Sequence, residues 1–300
     1  MTSLLATVPA PAKINLYLRV KGRRPDGYHE LESVMQKLVL ADFVRVAVDE
    51  GSGIALSCPA AGLPEDDTNL AWRAARLFLD ETGLERRVAI TLDKKIPVAA
   101  GLGGGSSDAA AVLLVLNELL RSGLDEEALL KMAVRLGADV PFFIKDHCPA
   151  ALAEGIGERL SPVAGIQNCD VVLVNPGFPV STRWVFANFA LTTNRNPYIL
   201  APGKDSQSGI YFGPDEADFL KRVGPEGFFN DLEAVTIDRY PEIESIKNSM
   251  LAEGAMVALM SGSGPTVFGI FTDHRIAISC FEKFRSSYGK NVFLTRPRHF

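Results

Sequence analysis

The segment at residues 97–107 carries the strongest chemical signal in the sequence. It precedes a stretch from about Asp108 to Leu120 whose apolar residues recur with helical spacing. Glycine allows backbone conformations in which successive N–H groups face one anion, and a helix start adds unpaired N–H groups and a positive dipole end. We therefore predict a phosphate-binding loop made of Pro97, Val98, Ala99, Ala100, Gly101, Leu102, Gly103, Gly104, Gly105, Ser106 and Ser107.

The spacing of this loop differs from that of the two common phosphate motifs. No Gly-Lys-Ser/Thr triplet follows it, which excludes a Walker A loop, and the GxGxxG spacing of dinucleotide-binding loops is not met. The alternative interpretation is a flexible linker or a close helix packing. A second Gly/Ser segment, at residues 261–266, lies between two apolar stretches and predicts either a ligand-facing loop or a hairpin turn.

Three polar residues elsewhere could serve a phosphate site. Residues 12–20 alternate between apolar and polar types, which predicts a strand with Lys13 and Asn15 on its polar face. Asp139 follows a predicted helix stop at Gly137. From residue type alone, a solvated sheet face and a solvated loop carboxylate are the simpler interpretations.

The elements that must hold these residues indicate an α+β protein, because strands and helices alternate without a regular βαβ series. We predict that Asp67 and Thr68 cap the first helix and that residues 191–213 form a long surface loop. Further strands are predicted at 43–48, 87–92, 170–175, 256–260, 267–271 and 291–295, and helices at about 68–80, 108–120, 126–136, 241–253 and 275–287.

Composition excludes several classes of function. The formal net charge of −5 provides no general basic field for nucleic acid or an anionic membrane. The four cysteines are scattered without a CxxC pair and the four histidines have no metal-ligand spacing, so we expect a reduced, cytoplasmic protein without a zinc site. The apolar runs are too short to span a membrane, and the first residues do not resemble a signal peptide.

Taken together, the motifs identify a family. Residues 11–16 (PAKINL), 27–31 (GYHEL), 97–108, 136–141 and 261–269 occur in the order found in the GHMP small-molecule kinases, and the resemblance extends over nearly the whole chain. It implies an α+β, two-domain GHMP kinase-like fold. Residues 1–164 would resemble the second domain of ribosomal protein S5 and would carry the ATP phosphate loop, and residues 165–300 would be ferredoxin-like.

The resemblance also implies phosphoryl transfer with ATP and Mg²⁺, the loop at 97–107 wrapping the ATP phosphates. Asp139 matches the family's catalytic base, and Lys13 matches the lysine paired with that base. Ser107 is a candidate magnesium contact, although the metal ligands stay open. Asn69, Lys94 and Lys95 lie where contacts to adenosine are expected.

Within the superfamily, the motif at 26–29 (DGYH) resembles kinases whose small-molecule substrate carries a cytidine diphosphate group and is phosphorylated on its 2-hydroxyl, in the non-mevalonate route to isoprenoid precursors. Tyr28, His29 and Phe186 match its cytidine site, and Asn15 its substrate site. We expect a monomer or weak homodimer. Another GHMP kinase, of homoserine or mevalonate type, and a catalytically inactive GHMP-fold binding protein are the alternatives.

Overall fold

The computed structural model describes residues 3–59, 62–189, 199–200, 209–210 and 227–299. The strands in this part of the chain are β1 (Leu4–Arg23), β2 (His29–Asp49), β3 (Gly53–Ser57), β4 (Arg87–Asp93), β5 (Ala150–Gly155), β6 (Arg159–Pro162), β7 (Asp170–Val174), β8 (Ile199–Leu200), β9 (Gly209–Ile210), β10 (Phe229–Asn230), β11 (Val257–Met260), β12 (Val267–Phe271) and β13 (Val292–Thr295). The helices are α1 (Leu70–Thr82), α2 (Gly104–Leu119), α3 (Glu126–Leu136), α4 (Val140–Ile144), α5 (Thr182–Asn188), α6 (Glu233–Arg239), α7 (Glu242–Ala252) and α8 (His274–Tyr288).

The chain divides into two compact units that interleave along the sequence. The first unit comprises Met1–Ala12, Leu40–Val98 and Gly103–His147, and the second comprises Lys13–Val39, Ala99–Leu102 and Cys148–Phe300. Strands β1 and β2 therefore contribute residues to both units. The predicted domain boundary between residues 164 and 165 stays a prediction.

In the first unit, β4 shows why the sequence forms a half-buried strand. Its residues alternate strictly between exposed and buried, with Val88, Ile90 and Leu92 facing the core. The strand pairs antiparallel with the second half of β2 and parallel with β3. Alternation of this kind predicts both the element and its buried face.

Helix ends in the first unit follow the capping chemistry of the sequence, with one shift. The side chain of Asp125 accepts a hydrogen bond from the backbone N–H of Ala128, at 2.9 Å, and so caps α3 as predicted. Helix α1 ends at Gly83, which has φ 65°. Its cap, however, is Asn69 rather than the predicted Asp67 and Thr68, because the Asn69 side chain accepts from the N–H of Ala71.

The second unit contains a sheet built on β1. Strand β1 lies between β10, which is parallel to it, and β2; β2 in turn pairs antiparallel with β5, and β5 with β6. The β5–β6 pair was not predicted from the sequence. Strand β1 is also longer than the predicted strand at 12–20, and it carries Lys13 and Asn15 into this unit.

The second sheet of this unit confirms the ferredoxin-like expectation. Its four antiparallel strands lie in the order β11–β12–β7–β13, and they occur along the chain as β7, helices, β11, β12, α8 and β13. That is the βαββαβ order of the ferredoxin-like fold. Apolar residues of β7, α7 and α8, among them Val172, Ile246 and Cys280, form one buried cluster on this sheet.

The predicted surface loop at 191–213 lies outside the described residues, apart from β8 and β9, which pair in parallel. Among the helices of the described residues, none is both long and apolar enough to cross a bilayer.

Candidate active site

The glycine-rich segment turns sharply before it enters α2. Ala99, Gly101 and Gly103 adopt positive φ values of 52°, 77° and 71°. Helix α2 begins at Gly104, four residues before the predicted start at Asp108, so the last residues of the segment already belong to the helix. Gly103 is its N-cap and has no side chain to occupy the first N–H groups. An anion can therefore bind to them directly.

Within the second unit, Gly101 touches the second Gly/Ser segment. A Cβ atom at Gly101 would lie 2.1 Å from the backbone oxygen of Ser261 and 3.2 Å from that of Gly264, so no other residue type fits without displacement of backbone. The hydroxyl of Ser261 donates to the carbonyl of Gly101, at 2.9 Å. Thr266 N–H donates to the carbonyl of Ala100, at 3.4 Å. The two glycine-containing segments thus share one junction.

Lys13 and Asn15 lie next to this junction. Lys13 Nζ donates to Asn15 Oδ1 at 2.6 Å, and Asn15 Nδ2 donates to the hydroxyl of Ser33 at 2.8 Å. The backbone N–H of Asn15 donates to Ser261 Oγ, at 3.3 Å, and that of Lys13 to the carbonyl of Leu102, at 2.9 Å. Lys13 and Asn15 are 4% and 3% exposed, which excludes the solvated sheet face considered from the sequence.

In the first unit, the start of α2 packs on the end of β4. A Cβ atom at Gly104 would lie 3.1 Å from Ile96 Cγ2 and 3.3 Å from Lys94 Nζ. Gly104 has an ordinary helical φ, so at this position glycine serves close packing and not an unusual backbone conformation.

A buried ion cluster holds this packing together. The ammonium of Lys94 binds the carboxylates of Asp42 and Asp108, the latter at 2.6 Å. Asp42 Oδ1 also accepts the backbone N–H groups of Lys95 and Ile96, at 2.5 and 2.8 Å. Asp42 thereby fixes the turn that leads out of β4.

The charges in the cluster oppose one another. The pKa of Asp108 is raised to about 6, because burial and the Asp42 carboxylate together outweigh the opposing effect of the Lys94 ammonium. Burial lowers the pKa of Lys94, but the carboxylates of Asp108 and Asp42 outweigh this effect and raise it overall. The sequence analysis missed Asp42. A carboxylate between apolar residues of a strand indicates a buried charge that needs a partner, and this pattern could have identified it. The ammonium of Lys94 binds two carboxylates of this cluster. The expectation that Lys94 contacts adenosine stays a prediction.

Asp139 and Ser107 are both in the first unit. Asp139 immediately precedes α4 and makes no side-chain capping bond to that helix. The hydroxyl of Ser107, in the first turns of α2, is buried and has no hydrogen-bond partner among the described residues. An unpaired oxygen beside an anion site fits a hard cation, which prefers oxygen ligands. The described residues hold no cluster of three or more His, Cys, Asp or Glu that could bind a metal by itself.

The predicted cytidine residues lie in the second unit. The ring of His29 stacks on that of Phe186 in α5, with centroids 5.1 Å apart and planes inclined by 27°, and Phe189 meets His29 edge-on. Tyr28 is 61% exposed. Burial, assisted by the charge of Arg23, lowers the pKa of His29, which favours a neutral imidazole at neutral pH. The structure therefore places Phe186 in contact with His29, as expected if both residues belong to one site.

Comparison with known proteins assigns the chain and its fold to a family. The family models described as GHMP kinases N terminal domain and GHMP kinases C terminal match residues 69–147 and 219–290. A relative from Geobacter metallireducens, named 4-diphosphocytidyl-2-C-methyl-D-erythritol kinase, is 47% identical over 90% of this chain and 91% of the relative. One from Syntrophotalea carbinolica with the same name is 44% identical over 96% and 97%.

Solved structures agree with these relatives. The chain is similar to a crystal structure of 4-(cytidine 5'-diphospho)-2C-methyl-D-erythritol kinase, with a TM-score of 0.77 and 35% identity over 98% of this chain and all of the other. A homoserine kinase from Cytophaga hutchinsonii has a TM-score of 0.70 but 18% identity over 99% and 95% of the two chains, a likeness of fold alone. By both family models and by relatives that match almost its full length, the chain belongs to the GHMP kinase family, in the branch of the 4-diphosphocytidyl-2-C-methyl-D-erythritol kinases.

Proposed function

We propose that this ATP-dependent small-molecule kinase transfers the γ-phosphoryl group of ATP to the 2-hydroxyl of 4-diphosphocytidyl-2-C-methyl-D-erythritol, in the non-mevalonate route to isoprenoid precursors. The observation that carries the proposal is the 47% identity to a relative of that name over 90% of the chain. The homoserine kinase neighbour, at 18% identity, supports the fold and not a second substrate.

Phosphoryl transfer needs positioning and charge stabilisation more than covalent chemistry. The loop at 97–107 binds the ATP phosphates through the N–H groups around Gly103 and the positive end of α2. The glycine N-cap supports this role, because Gly103 has no side chain to cap the first N–H groups of α2. Because glycine at positions 101 and 103 takes positive φ, the loop can turn its backbone toward the phosphates.

Asp139 is the general base that takes the proton from the attacking hydroxyl. Lys13 stabilises the negative charge that develops on the transferring group. The burial of Lys13 and its bond to Asn15 support this role, because an ammonium held by a fixed acceptor in a water-poor setting acts more strongly than a solvated one. Asn15 holds the lysine and contacts the substrate.

Mg²⁺ neutralises charge on the nucleotide phosphates when it is bound. Ser107 is the residue of this chain that would contact it, and the buried, unpaired hydroxyl of Ser107 supports that assignment. Mg²⁺ commonly takes only one or two protein ligands together with phosphate oxygens and water, which agrees with the lack of an acidic cluster among the described residues.

Cytidine binds at Tyr28, His29 and Phe186. The exposed ring of Tyr28 offers a stacking surface, and the neutral imidazole of His29 has one donor and one acceptor nitrogen with which to recognise the polar edge of the base. The stacking of His29 on Phe186 supports a common site. We further infer a cytoplasmic enzyme, which the four buried cysteines, none of them in a disulfide, support. A monomer or weak homodimer stays a prediction.

The proposed substrate is tested by side-by-side turnover of ATP with the cytidyl substrate, homoserine and mevalonate. We expect turnover with the cytidyl substrate alone, because homoserine and mevalonate carry no cytosine for the Tyr28–His29 pair to bind. Turnover with homoserine or mevalonate alone would replace the assignment by another GHMP kinase. No turnover with any of the three would support the inactive binding protein.

Replacement Asp139→Asn should lower kcat by about 10²–10⁴-fold, because it removes the base while keeping the size of the side chain. ATP affinity, measured by calorimetric titration, should change little. The matched control is Asp146→Asn, which neutralises an exposed carboxylate a few residues further along the chain. A kcat close to that of the wild type in Asp139→Asn removes this residue from the mechanism.

Replacement Tyr28→Ala should weaken binding of the cytidyl substrate about fivefold to hundredfold, since stacking of a base on an aromatic ring contributes about 1–3 kcal/mol. ATP affinity and melting temperature should be retained because the ring is 61% exposed. His29→Ala should in addition reduce discrimination between cytidine and uridine analogues. Phe43→Ala, which removes another exposed ring, is the control. A lower melting temperature with unchanged KM would mean that Tyr28 only packs the β1–β2 turn.

A further inference from the structure

Asn230 in β10 uses its whole side-chain amide to hold backbone. Its Nδ2 donates to the carbonyls of Met260 and Gly262, at 2.8 and 2.7 Å, and its Oδ1 accepts the N–H of Leu232, at 2.9 Å. The residue is 3% exposed. Only a carboxamide side chain supplies two donated bonds and one accepted bond in this arrangement. The carboxylate of an aspartate at this position would place an oxygen, which cannot donate, against the two carbonyl oxygens.

The two carbonyls held by Asn230 flank Ser261. Ser261 Oγ donates to the carbonyl of Gly101 and accepts the N–H of Asn15. A Cβ atom at Gly262 would lie 3.3 Å from Asn15 Oδ1, the atom to which Lys13 Nζ donates. A continuous set of hydrogen bonds and close contacts thus runs from Asn230 through the segment at 261–266 to the Lys13–Asn15 pair.

Asn230 is itself fixed independently of that segment. Its strand pairs in parallel with β1, with Asn230 opposite Leu18, and the N–H of the next residue, Asp231, donates to the Leu18 carbonyl at 3.0 Å. The side chain therefore ties the segment at 261–266 to the same strand that carries Lys13 and Asn15. A buried, fully satisfied amide of this kind specifies one arrangement, because each unmade bond would leave a desolvated polar group.

We infer that Asn230 is a positioning residue, which holds the segment at 261–266 against Gly101 and Asn15 and through it sets the place of the Lys13 ammonium. Its consequence for catalysis rests on the proposed function of Lys13. Asn230 touches no reacting group in this account and acts only through the segment that it holds.

The test compares Asn230→Asp and Asn230→Ala with the wild type by hydrogen–deuterium exchange. The N–H groups of Ser261, Gly264 and Thr266 are bonded within or next to the segment, and their exchange should become at least about tenfold faster in both variants. The matched control is Asn117→Asp, because Asn117 also uses its amide on backbone groups, those of Leu124. The inference is overturned if these N–H groups exchange at the wild-type rate in a folded Asn230 variant. It is also overturned if Asn117→Asp accelerates their exchange as much as the Asn230 variants do.

Kinetics of the same variants separate positioning from general destabilisation. We expect kcat to fall about ten- to hundredfold, since small displacements of a catalytic group have effects of that size, with a smaller change in KM for ATP. An unchanged kcat in a folded variant overturns the catalytic part. Absence of turnover in the wild type refutes the proposed function instead, while the exchange data still decide the role of Asn230.

Should neither variant fold, the wild type answers the question by NMR. The side-chain amide protons of Asn230 should then exchange at least about tenfold more slowly than those of Asn188. The amide of Asn230 is buried and donates two hydrogen bonds, whereas the amide of Asn188 donates one bond and is exposed. Equal exchange of the two amides overturns the inference.

Discussion

The contact between Gly101 and the backbone of Ser261 is the constraint on which the candidate site depends. Any side chain at position 101 would place its Cβ atom 2.1 Å from the Ser261 carbonyl oxygen, well inside the contact distance of the two atoms. With glycine there, the segments at 99–102 and 261–266 lie backbone against backbone, and the Ser261 hydroxyl bonds to both Gly101 and Asn15. One close approach therefore places two loops and a strand.

The candidate residues of each unit are held by contacts within that unit. In the second unit, the Ser261–Asn15 bond leads to the Lys13 ammonium, and Asn230 holds the opposite side of the segment at 261–266. In the first unit, α2 begins at Gly104 and packs there on Ile96 and Lys94. The buried Lys94 ammonium binds the carboxylates of Asp42 and Asp108 in this region, and these ion pairs offset part of the cost of burying the charges.

The sequence predicted what local chemistry determines. The residue types at 87–92 predicted the strand β4, and the capping residue Asp125 predicted the start of α3. Prediction failed where tertiary contacts decide. The predicted start of α2 at about Asp108 is wrong by four residues, since the helix begins at Gly104, which packs on Ile96 and is helical despite the low helix propensity of glycine. The alanine-rich β5 lacks strand propensity and forms through pairing with β2 and β6. Asn230 lies in no recognisable motif, because its partners are about thirty residues away in sequence.

The dependence of the site on this close approach is tested by the paired replacements Gly101→Ala and Gly22→Ala. A Cβ atom at Gly22 would meet no other atom within 4 Å and alanine suits its strand backbone, whereas alanine at 101 faces the Ser261 backbone at positive φ. The measurement is kcat/KM with ATP and the cytidyl substrate in both folded variants. We expect a loss of about a hundredfold or more for Gly101→Ala and near-normal activity for Gly22→Ala; equal activity of the two variants would contradict the dependence of the site on this contact.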